Sequence, residues 1–128
     1  MTKAEQREGS CAVAYEPSAS AFILRIFGSA TEDDVAACLR RYDVAVAEKS
    51  AHRQFNVIIS MDEEAHSSLA VLRLIRVSLE KHEHREFLTN VVAVHGDPRV
   101  VAMRNASGGY LPCFADEDQA LQYLVAGR

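Results

Sequence analysis

Residues Phe55 to Ser60 read Phe-Asn-Val-Ile-Ile-Ser, a short β-prone run that is apolar at its centre and bounded by polar residues. Neighbouring side chains in a strand point to opposite faces, so a run in which both sets are apolar needs cover on both. The interior of an α/β sheet with helices packed over it supplies that cover. The run leads into an acidic loop (Asp62, Glu63, Glu64), and then His66, Ser67 and Ser68 open a strongly apolar segment reaching about His82. Leu69, Val71, Leu72, Leu74, Ile75, Val77 and Leu79 lie nearly all round that predicted helix, a wider band than the stripe that covers one sheet face. A strand that hands the chain to paired serines at a helix start turns backbone N–H groups outward, where negative charge is welcome. Such a geometry suits binding or switching rather than catalysis.

The flanking sequence continues the alternation. Cys11 to Tyr15 and Ala21 to Phe27 read as strands joined by a turn at Glu16, Pro17, Ser18 and Ala19, and so as an antiparallel hairpin. Gly28 ends the second strand. Thr31 caps a helix whose first turn holds Glu32, Asp33 and Asp34, and Val35, Leu39, Tyr42 and Val46 recur on its inner side, with Arg40 and Arg41 facing away. Phe87 to Val94 supplies another strand, and Asp97-Pro98 starts a helix that Gly108-Gly109 stops. Tyr110 to Phe114, with Pro112, reads as an edge strand. Asp116 and Gln119 open a final helix that presents Ala120, Leu121, Leu124 and Val125 inward. The predicted order is β-β-α-β-α-β-α-β-α, an α/β fold with a mixed sheet of four or five strands, in which Val57, Ile59, Val92 and Val94 sit at the buried centre.

Composition narrows the function classes. A chain of 128 residues suits one domain, here residues 11–128, behind a polar N-terminal tail over residues 1–10. Hydrophobic residues make up 48% and charged residues 25%, ordinary proportions for a globular protein. The net charge of −4 argues against nucleic acid or an anionic membrane as partner, since either needs a basic patch, and Arg73 with Arg76 is the best local candidate. The tail lacks a signal-peptide core and no run approaches a membrane span, so a cytoplasmic location without membrane insertion is expected. Cys11, Cys38 and Cys113 are odd in number and widely spaced, which predicts small core residues, no structural zinc and no disulfide.

The element order and several local motifs resemble the STAS domain, the fold of bacterial anti-sigma-factor antagonists. Those proteins carry Asp-Ser-Ser-Gly or Asp-Ser-Thr-Gly followed by aliphatic residues at the start of the second helix. Here His66-Ser67-Ser68 followed by Leu69, Val71 and Leu72 stands in that place, with His66 for the aspartate and no glycine. By position Ser67 matches the phosphoacceptor. The C-terminal half is similar to the SpoIIAA-like branch, through Glu86-Phe87, Val92-Ala93-Val94-His95-Gly96-Asp97, Cys113-Phe114 and Ala120-Leu121-Gln122-Tyr123-Leu124. The likeness spans most of residues 11–126. It implies a non-enzymatic regulatory domain whose partner is an anti-sigma factor or a kinase-like protein.

The residues themselves admit sharper and plainer roles. A phosphate on Ser67 would gain from the helix dipole and repel an acidic partner, but Asp62, Glu63 and Glu64 would oppose it, and serine is also a good N-cap. His82 and His84 are two apart, so on a helix they diverge instead of converging on a metal. His66 beside Ser67 lacks an orienting acid and an oxyanion loop, and Ser107-Gly108-Gly109 follows a helix rather than preceding one, so neither hydrolysis nor phosphate binding is indicated. No cofactor and no catalytic residue is expected. The leading reading is a protein-interaction domain with Ser67, Ser68 and His66 at its docking centre and Arg73, Arg76 and Asp62 on the adjoining surface. The alternative is a carrier or sensor of a small apolar or amphipathic ligand beside the second and third helices, and a second copy of the chain is a further partner to test.

Overall fold

The computed structural model describes residues 11–28, 30–50, 52–62, 69–81, 84–106 and 111–126. Five strands form one sheet: β1 (Cys11–Glu16), β2 (Ala21–Ile26), β3 (Phe55–Met61), β4 (Leu88–His95) and β5 (Cys113–Phe114). Their spatial order follows the chain, β1-β2-β3-β4-β5, with β1 antiparallel to β2 and all later pairs parallel. Among the described residues the helices are α1 (Glu32–Lys49), α2 (Leu69–Lys81), α3 (Pro98–Ala106) and α4 (Glu117–Ala126). The element order is the one expected, and the fold is α/β with a mixed five-stranded sheet.

Local chemistry sets the element ends. Pro17–Ala19 forms a single 3-10 turn in the hairpin, and Ser20 takes the left-handed conformation that returns the chain to β2. Thr31 accepts the Asp34 N–H while Asp34 accepts the Thr31 N–H, a reciprocal cap that satisfies two groups at the start of α1. Proline is the first residue of α3, where its missing N–H has no intrahelical partner to lose. At the start of α4, Asp116 accepts the Gln119 N–H, while the Gln119 side chain accepts from Ala115. The entry to β4 differs from expectation: Arg85–Phe87 forms a 3-10 turn and the strand runs on to His95. β5 is shorter than expected, two residues, because Pro112 contributes only its carbonyl, which accepts the Ala93 N–H.

The two faces of the sheet have separate cores. Phe22, Leu24 and Ile26 of β2 and Phe55, Val57, Ile59 and Met61 of β3 point to one side, where α1 contributes Val35, Cys38, Leu39, Tyr42 and Val46 and α2 contributes Ile75 and Leu79. Right-handed crossovers between parallel strands laid down in chain order place successive helices on the same side. Phe22 meets Tyr42 and Phe55 edge to face, with ring centroids 6.0 and 5.5 Å apart. Burying each such ring stabilises the fold by about 2–3 kcal/mol. The opposite side is smaller: Ala21, Ile23, Ile58, Val92 and Val94 meet Ala120 and Leu124 of α4, with Ala19 of the hairpin turn beneath them. Every residue of β3 is buried, and Val57, Ile59, Val92 and Val94 are central as expected. Val125 corrects the reading of α4, since it is exposed while Leu121 is half-buried.

Candidate functional site

In parallel α/β sheets the carboxyl ends of the strands open onto the loops that carry function, because each crossover begins there. Here β2 ends in Arg25 and Ile26, β3 in Ser60 and Met61, and β4 in Val94 and His95. The polar groups at this end are tied to one another. Arg25 grips Glu117 in a two-pronged contact, Nε to Oε2 at 3.0 Å and Nη2 to Oε1 at 2.8 Å, and Ser60 Oγ donates to the same Oε2 at 2.9 Å. Arg25 and Ser60 are register partners on the face toward α4, and Glu117 lies in that helix's first turn, where the dipole also favours a carboxylate. The Arg25 fork and the Ser60 hydroxyl hold the Glu117 carboxyl below its ordinary range, against the effect of partial burial. A carboxylate so stabilised is a weak base, and its bond to Ser60 fixes β3 to α4 instead of activating the hydroxyl.

Asp62 leaves β3 half-buried and accepts the Gly28 N–H at 3.4 Å, joining the loops that follow β3 and β2. Gly28 has a φ of 54°, a left-handed conformation that glycine adopts without a Cβ clash. His95 is buried beside Met61, and its Nδ1 accepts the Asp97 N–H at 2.9 Å, an arrangement that puts the ring proton on Nε2. Asp97 in turn accepts from the Arg99 side chain and backbone N–H, and these contacts lower its proton affinity. The described residues at the carboxyl end therefore form a rim of polar side chains tied to one another and to the backbone.

The residues singled out from sequence divide into three groups. Asp62 lies on the rim. Arg73 and Arg76 are exposed on α2 and share its outward face with Val77 and Glu80, positions three and four apart, and Arg76 Nε contacts Glu80 at 3.0 Å. His66, Ser67 and Ser68 lie outside the described residues, as do Glu63, Glu64, His82 and Glu83. The broad apolar band of α2 is resolved where it can be followed: Ile75 and Leu79 are buried, Leu74 packs on the same core, and Val77 faces outward with 37% exposure. His84 packs edge to face on His52, at 6.2 Å between centroids, and no group of three or more metal-ligating side chains occurs among the described residues.

Sequence reasoning missed the Arg25-Glu117-Ser60 junction and the reach of Arg41 to β1. Arg25 was legible as a lone charge in an otherwise apolar strand, but nothing local points to Glu117. Cys11 and Cys38 lie in the same core, and Arg41 Nη2 donates to the Cys11 carbonyl at 2.6 Å. All three cysteines are buried free thiols. No family model matches the chain, and no curated protein matches it. Among the described residues no helix is long and apolar enough to cross a membrane.

Proposed function

We propose that the chain is a regulatory protein-interaction domain that docks through the loop following β3 and the outward face of α2, in the manner its resemblance to STAS domains implies. The observation that supports this reading is the outward stripe Arg73, Arg76, Val77 and Glu80 on α2. A stripe in which an apolar side chain is flanked by arginines is well composed for a partner surface, since arginine combines a charge-paired fork with a stacking plane. Ser67 and Ser68 precede this stripe in the chain, so a phosphate on Ser67 would change the charge at its edge. The partner that fits is a protein with an acidic contact surface, of the anti-sigma or kinase-like class.

The test is affinity capture from an extract of the source cell with three baits: wild type, R73E/R76E and Ser67→Asp. Wild type should retain a protein that both variants lose at least tenfold, while their melting temperatures stay within a few degrees of wild type, because exposed substitutions perturb stability little. Equal retention by all three baits, or no specific retention by wild type, rejects the reading.

A further inference from the structure

The two edges of the sheet end differently. β5 is closed: it has two residues, Pro112 precedes it, and the Asn105 side chain occupies both the N–H and the carbonyl of Cys113. β1 is paired with β2 along all six of its residues and forms the other edge, with no proline and no charge before Glu16. Proteins blunt open edges with proline, charge, bulges or a short strand, and an unblunted edge is a template for a further strand. Helix α1 flanks this edge. Arg41 Nη2 donates to the Cys11 carbonyl at one end of β1, and Lys49 Nζ lies 5.9 Å from the centre of the Tyr15 ring at the other. Arg41 to Lys49 rises about 12 Å along a helix and Cys11 to Tyr15 about 13 Å along a strand, so α1 runs beside β1 in the same direction and Ala45 stands level with Val13. Arg41, Ala45 and Glu48 share one side of α1 at spacings of four and three, with Arg41 and Glu48 exposed and Ala45 half-buried.

We propose that this edge takes a second copy of the chain, the two β1 strands pairing antiparallel about a two-fold axis at Val13 and joining two five-stranded sheets into one. A two-fold perpendicular to the sheet keeps both α1 helices on the same side and sets side chains of like face opposite one another: Val13 against Val13, Ala12 against Ala14, and Cys11 against Tyr15. Val13 and Tyr15 pack on the core under α1 and Ala14 on the core under α4, so each core continues across the joint. The charges on α1 select the occupant. Because α1 is parallel to β1, the same axis lays the two helices antiparallel with Ala45 beside Ala45, a small side chain that permits close approach. Arg41 of one copy then comes level with Glu48 of the other to within about one residue's rise, and symmetry makes the pair twice. A lone peptide strand on this edge would bring no helix to match these charges. The joint uses β1 and α1 only, so it stands apart from the docking reading on α2.

The experiment is sedimentation velocity of the full chain over a range of concentrations, where wild type should show a monomer–dimer equilibrium. Glu48→Arg and Arg41→Glu should each weaken the dimer roughly tenfold, and R41E/E48R, which reverses both charges, should restore it. The rescue separates a contact between copies from damage to the fold, since residues seven apart on one helix lie about 10 Å from each other. Ala45→Cys should form a disulfide-linked dimer under mild oxidation, whereas Ala47→Cys, exposed on the far side of α1, should not. A chain that stays monomeric at every concentration, one that dimerises only after residues 1–10 are removed, a dimer indifferent to the charge substitutions, or an Ala45→Cys chain that links no better than Ala47→Cys would overturn the proposal.

Discussion

A single arginine in an apolar strand joins three elements of this fold. Arg25 on β2, Ser60 on β3 and Glu117 on α4 meet in one junction whose side chains are partly exposed, 37% for Arg25 and 28% for Glu117. Its two-pronged geometry exceeds an ordinary surface pair, yet solvent screening holds its worth to about 1 kcal/mol. Because the folded state holds the Glu117 carboxyl below its ordinary value of 4.5, the contribution is present above that value and is lost as the pH falls through the lower, folded one. Urea unfolding should therefore find Glu117→Gln about 1 kcal/mol less stable than wild type at pH 7, with the gap closing in strong acid. A gap that persists unchanged in acid would show that packing, and not charge, carries the effect. Arg25 is the one charge in an otherwise apolar β2, a local signal that sequence reasoning did not take up. Its partner could not be read there, since a contact between residues 92 positions apart leaves no periodic trace.

Asn105 shows how a short helix and a short strand support each other. α3 buries little apolar surface: Val100 and Val101 are half-buried and Met103 is 64% exposed. The Asn105 side chain supplies what packing does not, donating to the Cys113 carbonyl at 2.9 Å and accepting the Cys113 N–H at 3.2 Å. An amide side chain thus acts as a local strand partner for β5. Asn105→Ala should cost about 1–2 kcal/mol and release the Cys113 amide to much faster hydrogen exchange, while the amides of β3 keep their protection. Uniformly faster exchange across the sheet would instead mean that the whole fold had been weakened. Caps and periods that lie within one element were legible beforehand, as Thr31 with Asp34, Pro98, and the inner face of α1 show. The Asn105 clamp was not, because an asparagine near a helix end has several ordinary uses and only the return of β5 selects this one.

Across the whole molecule the two sheet faces are covered unequally. α1 and α2 share one side, and α4 covers β3, β4 and β5 on the other with help from the hairpin turn. The alternation of strands and helices made that division foreseeable in outline, because a strand apolar on both faces requires cover on both. Which helix lies on which face followed from the strand order, which the sequence pattern leaves open. A chain ending at Ala115 would leave Ile23, Ile58, Val92 and Val94 without their cover. Such a truncation should bind a hydrophobic dye and self-associate during size-exclusion chromatography, whereas a soluble monomer with native-like hydrogen exchange would show α4 to be dispensable.

Strand order that repeats chain order also bears on biosynthesis. Each strand that leaves the ribosome finds its neighbour already in place, so the sheet can grow outward from the hairpin without waiting for a distant partner. The second face has no such advantage, since its helix is the last to emerge. Until that helix follows them out, Ile23, Ile58, Val92 and Val94 lack their cover, and the growing chain is then at its most prone to aggregate.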